Sequence, residues 1–79
     1  MLLNTEYGKV KVTLNRYIKQ HKINKTRLAY AAEMQKSQID NYCSDKITRV
    51  DLEVIGRLCT VLECDITDLL EFVPPAKDK

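Results

Sequence analysis

The chain has 79 residues, of which 44% are apolar and 30% charged, and its formal net charge is +2. This length supports one small domain. No apolar run approaches membrane-spanning length, and the first residues lack the basic start and apolar block of a secretory signal. We therefore expect a cytoplasmic protein without a membrane segment. Its three cysteines have no C-x-x-C spacing, so they are interpreted as reduced thiols that bind no metal.

The first structured segment is predicted in YGKVKV, residues 7–12, where apolar and basic residues alternate. Such alternation is compatible with a short strand. A lone strand needs a partner, either elsewhere in its own chain or in a second protomer. Residues 1–12 are therefore interpreted as an N-terminal arm or short strand.

Five helices are predicted from a repeated start signal. An apolar residue precedes a residue able to cap the helix and packs on another apolar residue five positions later. With the helical spacing of the apolar residues, this signal predicts an all-α fold. The predicted helices cover 13–21, 24–32, 35–43, 51–62 and 65–73. Asp65 and Asp68 resemble a capping box at the start of the last helix, and Pro74-Pro75 would end it. Residues 74–79 are predicted to be a disordered tail.

The second and third predicted helices have the spacing of a helix-turn-helix, with two helices of about nine residues around a short gap. Ala29 is small where crossing helices must approach closely, and Ile39 would anchor the third helix in the core. With Ile39 inward, the polar residues of this helix point mainly outward, with Gln38 at the flank. Such a polar side favours recognition of a ligand.

Charge is distributed unevenly along the chain. Residues 9–49 carry ten Lys and Arg against three Asp and Glu, whereas residues 50–79 carry three against seven. A basic half on a small domain favours binding to a polyanion.

The segments INKTRLAYAAEMQKSQIDNYCSDK and VDLEVIGRLCTVLECDITDLLEF resemble the Cro/Xre-type helix-turn-helix family of phage-repressor-like transcription regulators. The resemblance extends over about residues 11–73, and its most specific features are Leu28-Ala29, Ile39 and the apolar residues of the second segment. It implies a compact five-helix bundle with a central helix-turn-helix. It also implies a homodimer that binds double-stranded DNA, with a recognition helix of about 35–43 in the major groove.

By position, the resemblance implies two sets of DNA contacts. The residue types fit, because Lys donates to guanine and Asn or Gln pairs with adenine. The implied base-contacting residues are Gln35, Lys36, Ser37, Gln38 and Asn41. The implied phosphate-contacting residues are Lys25, Lys46 and Arg49. No catalytic or metal-binding residue, cofactor or small-molecule ligand is expected.

The chain departs from the family pattern in three places. Glu33 stands in the turn where glycine is usual, and a φ above zero there would cost a non-glycine residue on the order of 1 kcal/mol. Ser44-Asp45 stand where the following loop often has Asn-Gly. Asp40 lies on the polar side of the third helix, where it would repel phosphate unless it accepts from a cytosine amine.

An alternative function is a protein-interaction module, antitoxin-like or an adaptor, that keeps the repressor fold with weak or no DNA binding. Its binding surface would be the acidic C-terminal half or the edge of the YGKVKV strand. Two segments are candidate dimer surfaces, namely 2–12 and the predicted fifth helix with Phe72 and Val73. An enzyme is not expected, because the sequence has no Gly-rich phosphate loop and no Ser/His/Asp set.

Overall fold

The computed structural model describes residues 6–75, so arm residues 1–5 and residues 76–79 of the predicted tail lie outside the described residues. The described chain contains four α-helices, one 3₁₀ turn and two strands. In chain order these are β1 (Lys9–Val12), α1 (Leu14–His21), α2 (Lys25–Ala31), α3 (Lys36–Tyr42), α4 (Leu52–Leu62), the 3₁₀ turn (Ile66–Asp68) and β2 (Leu70–Val73). The strands form an antiparallel sheet with Lys9 opposite Val73 and Val12 opposite Leu70.

The first four predicted helices are confirmed, with each end within one residue of the predicted bounds. The sequence signal predicts that the first residue of each predicted range, such as Thr13, Asn24 or Asp51, caps its helix, and two of these three do so. The Asn24 side chain accepts from the Arg27 N–H at 3.0 Å, and the Asp51 side chain accepts from the Glu53 N–H at 2.9 Å. Thr13 makes no such cap. Its hydroxyl instead donates to the Asp68 carbonyl at 3.1 Å, which joins the start of α1 to the 3₁₀ turn.

The fifth helix predicted over 65–73 is wrong, and the fold is therefore neither all-α nor a five-helix bundle. The predicted hydrogen bond from the Asp65 N–H to the Asp68 carboxylate is present at 3.0 Å, but it starts only the 3₁₀ turn. Before Pro74-Pro75 there is room for a helix of about two turns, which is marginal by itself. Pairing with β1 instead gives partners to the backbone groups that each strand directs toward the other. The short strand suggested by YGKVKV is thus present, and its partner lies in the same chain.

The core lies between the four helices and the start of β2. Its fully buried large side chains are Leu14, Ile39, Leu58 and Leu69. Tyr42 is also buried, and its hydroxyl accepts from the Asp51 N–H at 2.9 Å, which ties the end of α3 to the start of α4. No helix within residues 6–75 is both long and apolar enough to cross a membrane.

Candidate nucleic-acid interface

The turn between α2 and α3 is held by hydrogen bonds from two directions. Glu33 has a φ of 58°, the left-handed conformation in which glycine is favoured. The Met34 N–H donates to the Ala29 carbonyl at 2.8 Å. From α4, the Arg57 guanidinium donates to the carbonyls of Ala32 and Glu33, each at 3.1 Å. These bonds satisfy carbonyls at the end of α2 and fix how α3 leaves the turn.

The phase of α3 agrees with the sequence prediction. Ile39 is fully buried, and Tyr42 faces the core with it. At about 100° per residue, Ser37 and Asn41 lie opposite Ile39, with Lys36 at one flank and Gln38 at the other. The residues proposed for base contacts are all exposed, namely Gln35, Lys36, Ser37, Gln38 and Asn41.

The Gln38 side chain already makes one hydrogen bond within its own helix. The Gln38 side-chain carbonyl accepts from the Gln35 N–H at 3.0 Å, which caps the start of α3. Its amide group keeps its two donors for an external acceptor. A bidentate pair with adenine needs both the donor and the acceptor of the amide. In this conformation, therefore, Gln38 can donate to a base edge but cannot form that bidentate pair.

Asp40 lies between two of the cations that the sequence assigns to DNA. Its carboxylate is 3.2 Å from the Lys36 ammonium and 3.9 Å from the Lys25 ammonium. Of the three ion pairs formed by residues 6–75, these two share Asp40. The structure thus brings the start of α2 and the start of α3 together through one carboxylate. All three side chains are about a third to a half exposed, so each pair contributes on the order of 0–1 kcal/mol in water.

The loop after α3 holds the other two proposed phosphate contacts, Lys46 and Arg49, and both are exposed. The Ser44 hydroxyl accepts from the Lys46 N–H at 3.1 Å, which shapes the start of this loop. The structure brings neither cation into the ion pairs around Asp40. A groove separates the loop from β1, and its lining includes Lys9 and Lys11 on the strand side.

Sequence reasoning assigned no role to Lys9, Lys11 or Arg57. The alternating basic residues of YGKVKV were a signal for the first two, but only the folded chain brings them beside the loop after α3. No pattern in the sequence indicated the role of Arg57, because its partners are backbone carbonyls at the end of another helix. It supports the turn without belonging to the exposed side of α3.

A family model of the Cro/C1-type HTH DNA-binding domain matches residues 13–75. The chain belongs to this family. The match confirms the resemblance seen in the sequence and makes the protein a DNA-binding regulator with a helix-turn-helix. The matched segment of this Cro/C1-type domain includes all four helices and β2, and β1 lies outside it. No curated protein and no solved structure matches the chain.

The cysteines of the Cro/C1-type domain lie near its core. Burial and the neighbouring Cys59 thiol raise the pKa of Cys64 to about 11, so this thiol is protonated at neutral pH. A protonated thiol is a poor nucleophile and a poor metal ligand. Within residues 6–75, no three His, Cys, Asp or Glu side chains are grouped closely enough to hold a metal ion.

Proposed function

We propose that residues 13–73 form a sequence-specific DNA-binding domain that inserts α3 into the major groove and thereby regulates transcription. The observation that carries this proposal is the phase of α3 in a Cro/C1-type domain. Its apolar side is fixed in the core by Ile39, while Ser37 and Asn41 project from the opposite side. A helix held in this way can enter the groove without losing its place in the core.

The proposed contacts divide into base reading and backbone binding. Gln35, Lys36, Ser37, Gln38 and Asn41 would face the base edges. Asn41 can pair with adenine through both groups of its amide, and Lys36 can donate to guanine. Lys25, Lys46 and Arg49 would bind phosphates and so position the domain without reading sequence. The protein acts in this proposal as a binding protein and not as an enzyme.

The proposed active form is a homodimer. The exposed side of a seven-residue helix can reach only a few base pairs, so one copy would specify a short half-site. Two copies related by a two-fold axis would read two half-sites about 34 Å apart, one turn of the duplex. The preferred DNA should therefore be nearly palindromic.

The test is selection of bound duplexes from a randomised DNA pool at moderate salt. Wild type is compared with Lys36→Ala/Asn41→Ala on α3 and with Asn15→Ala/Lys19→Ala on α1, a control that removes the same two residue types. We expect a palindromic consensus for wild type and the control and a weakened consensus for the α3 variant. Circular dichroism should show equal helicity for all three proteins.

Two results would contradict the proposal. If wild type enriches no sequence, the domain does not read DNA in this way. If the α3 variant keeps the full consensus, then Lys36 and Asn41 are not the reading residues. Lost helicity in that variant would show that they have a structural role instead.

A protein-interaction module is the second candidate function, and the position of Asp40 favours it. A carboxylate on the exposed side of α3 repels DNA phosphates and neutralises Lys25 and Lys36 in part. Salt dependence separates the two functions. Binding to DNA through three phosphates should weaken with a log–log slope of about −3 as salt rises. Binding to a protein through an apolar surface should change little.

A further inference from the structure

One face of the β1–β2 sheet carries charged side chains. Because side chains alternate along a strand, Lys9 and Lys11 project together on the face opposite Val10. Lys11 stands opposite Glu71 in the ladder, and the Glu71 carboxylate lies 3.5 Å from the Arg16 guanidinium. Both lysines are exposed, and neither forms an ion pair within the described part of the chain. Their ammonium groups are thus available to an external anion.

Two adjoining grooves run along this part of the surface. The first lies between β1 and the loop after α3. The second lies between α1 and the end of α3, and its lining includes Lys19 and Cys43. Lys11 and Asp45 line both grooves, so the two are continuous. We call them together the basic groove, after the cations that line it, namely Lys9, Lys11, Arg16 and Lys19.

The basic groove has an excess of positive charge. Its lining includes those four cations but only two carboxylates, Asp45 and Glu71. The Glu71 carboxylate is already paired with Arg16, so three lysines remain against Asp45 alone. Clustered charges of one sign along a groove attract a ligand that carries a row of opposite charges. The groove therefore fits a polyanion.

The basic groove is continuous with the surface that the proposed function places on DNA. One wall of the groove is the loop that also carries Lys46 and Arg49. At the other end, burial raises the pKa of the Cys43 thiol, and the ammonium groups of Lys25 and Lys19 act against this rise. Lys19 of the groove and Lys25, a proposed phosphate contact, therefore both lie near the end of α3. The groove extends the proposed backbone-binding surface onto α1 and β1.

We propose that the basic groove binds the phosphate backbone of the duplex beyond the base pairs that α3 reads, through Lys9, Lys11 and Lys19. This inference rests on the proposed function, because it assigns the groove to a further stretch of the same DNA. A duplex carries one negative charge per about 1.7 Å of its axis. A rigid duplex held at the loop after α3 therefore presents further phosphates to the cations beside that loop.

The family match does not account for two of these contacts. Lys9 and Lys11 lie before the matched segment, which begins at residue 13. Contacts to phosphate raise affinity and carry no sequence information. Loss of Lys19, Lys9 or Lys11 should therefore weaken binding and leave the selected consensus unchanged.

An acidic peptide is the other polyanion with the right charge. The continuity of the groove with the loop after α3 favours DNA, because a duplex bound at the loop already passes beside β1. A peptide would have to compete with that duplex for the same lysines.

The first experiment compares duplexes of different length by fluorescence anisotropy at several salt concentrations. One duplex contains only a selected half-site, and two others extend it by about 10 base pairs at one end or at the other. Wild type should bind one of the longer duplexes several-fold more tightly, with a log–log salt slope steeper by about 2 for contacts at Lys9 and Lys11. Additional random sites would appear equally at both ends, so the asymmetry is the diagnostic result. Equal affinities for all three duplexes would overturn the proposal.

The second experiment removes the two lysines of β1. Lys9→Gln/Lys11→Gln should lose the gain from the longer duplex and its extra salt slope, while keeping its affinity for the short one. The control is Lys22→Gln/Arg27→Gln, which removes the same charge at two exposed cations outside the lining of the groove. It should change the affinities for short and long duplexes by the same factor. A β1 variant with an unchanged urea midpoint that keeps the full gain would contradict the proposal.

Asp45 provides a test with the opposite sign. Asp45→Asn removes the carboxylate that lines both grooves, so the gain from the longer duplex should rise by a few-fold. A smaller gain than that of wild type would mean that the backbone does not follow the groove.

Random-sequence DNA and an acidic peptide separate the remaining outcomes. If wild type selects no consensus, but Lys9→Gln/Lys11→Gln still lowers the salt slope on long random duplexes, then the groove binds the backbone and the proposed reading by α3 fails. If a consensus is selected and duplex length has no effect, the proposed function stands and the groove proposal fails. The groove proposal also fails if polyglutamate binds through these lysines and the longer duplex does not.

Discussion

The turn and α3 differ from the β1–β2 sheet in whether their apolar side chains are buried or exposed. From Ala32 to Tyr42 every apolar side chain is buried, and the exposed positions are polar. In the sheet, Val10 and Phe72 remain exposed on the face that continues from the core. The first surface exposes only polar side chains to water, whereas the second exposes apolar side chains as well. The difference leaves α3 with a polar exposed surface and the sheet with an apolar exposed one.

The largest expected effect concerns the buried side of α3. Ile39→Ala should lower the free energy of unfolding by about 2–4 kcal/mol, because it leaves a cavity in a fully packed core. Ser37→Ala, on the opposite side of the same helix, should change it by less than about 0.5 kcal/mol. Urea unfolding measures both. An unchanged urea midpoint for Ile39→Ala would mean that α3 is rotated and that the proposed reading residues are wrong.

The two glycines should respond to the same substitution with opposite signs. At Gly8 a Cβ atom would meet the Phe72 ring and the Val73 backbone, so Gly8→Ala should cost about 1–3 kcal/mol. At Gly56, on the exposed side of α4, no atom lies within 4 Å of the added carbon. Gly56→Ala should therefore stabilise the protein by about 1 kcal/mol through helix propensity. A urea midpoint that does not fall for Gly8→Ala would show that the sheet does not hold Phe72 as described.

The smallest expected effect concerns the exposed side of α3. Asp40→Asn frees Lys25 and Lys36 from their shared carboxylate, so affinity for random-sequence DNA at low salt should rise by a few-fold. The dependence on salt should also become steeper. Fluorescence anisotropy with a labelled duplex measures both quantities.

The matched control for this prediction is Glu53→Gln on α4, which changes the net charge by the same amount away from the two lysines. If it raises the affinity as much as Asp40→Asn does, then only the total charge matters. A decrease in affinity with Asp40→Asn would instead favour a direct contact between Asp40 and a cytosine amine.

Local signals in the sequence were sufficient to predict the four helices but not the structure of residues 65–73. Asn24 and Asp51 cap helices within their own first turn, so their effect can be predicted from neighbouring residues. The hydrogen bond between Asp65 and Asp68 is equally local, yet it is compatible with either a helix or a 3₁₀ turn. Pairing with β1, a strand far away in the sequence, decides between them.

In the candidate site, too, the features within one helix could be predicted from the sequence, whereas the contacts between helices could not. The exposed side of α3 followed from the spacing of Ile39 and Tyr42, and the Lys36–Asp40 pair follows from helical i,i+4 spacing. The second partner of Asp40, Lys25, lies on another helix, so only the angle between the helices brings them together. For the same reason the sequence did not predict the bonds from Arg57 to the turn.

The pairing of β1 with β2 also has a consequence for folding. Joining Lys9–Val12 to Leu70–Val73 closes a loop that contains all four helices. Closing so long a loop costs more chain entropy than forming contacts between successive helices, so we expect the helices to pack first and the sheet to form last. The Val10–Phe72 face then exists only in chains whose helical core is complete.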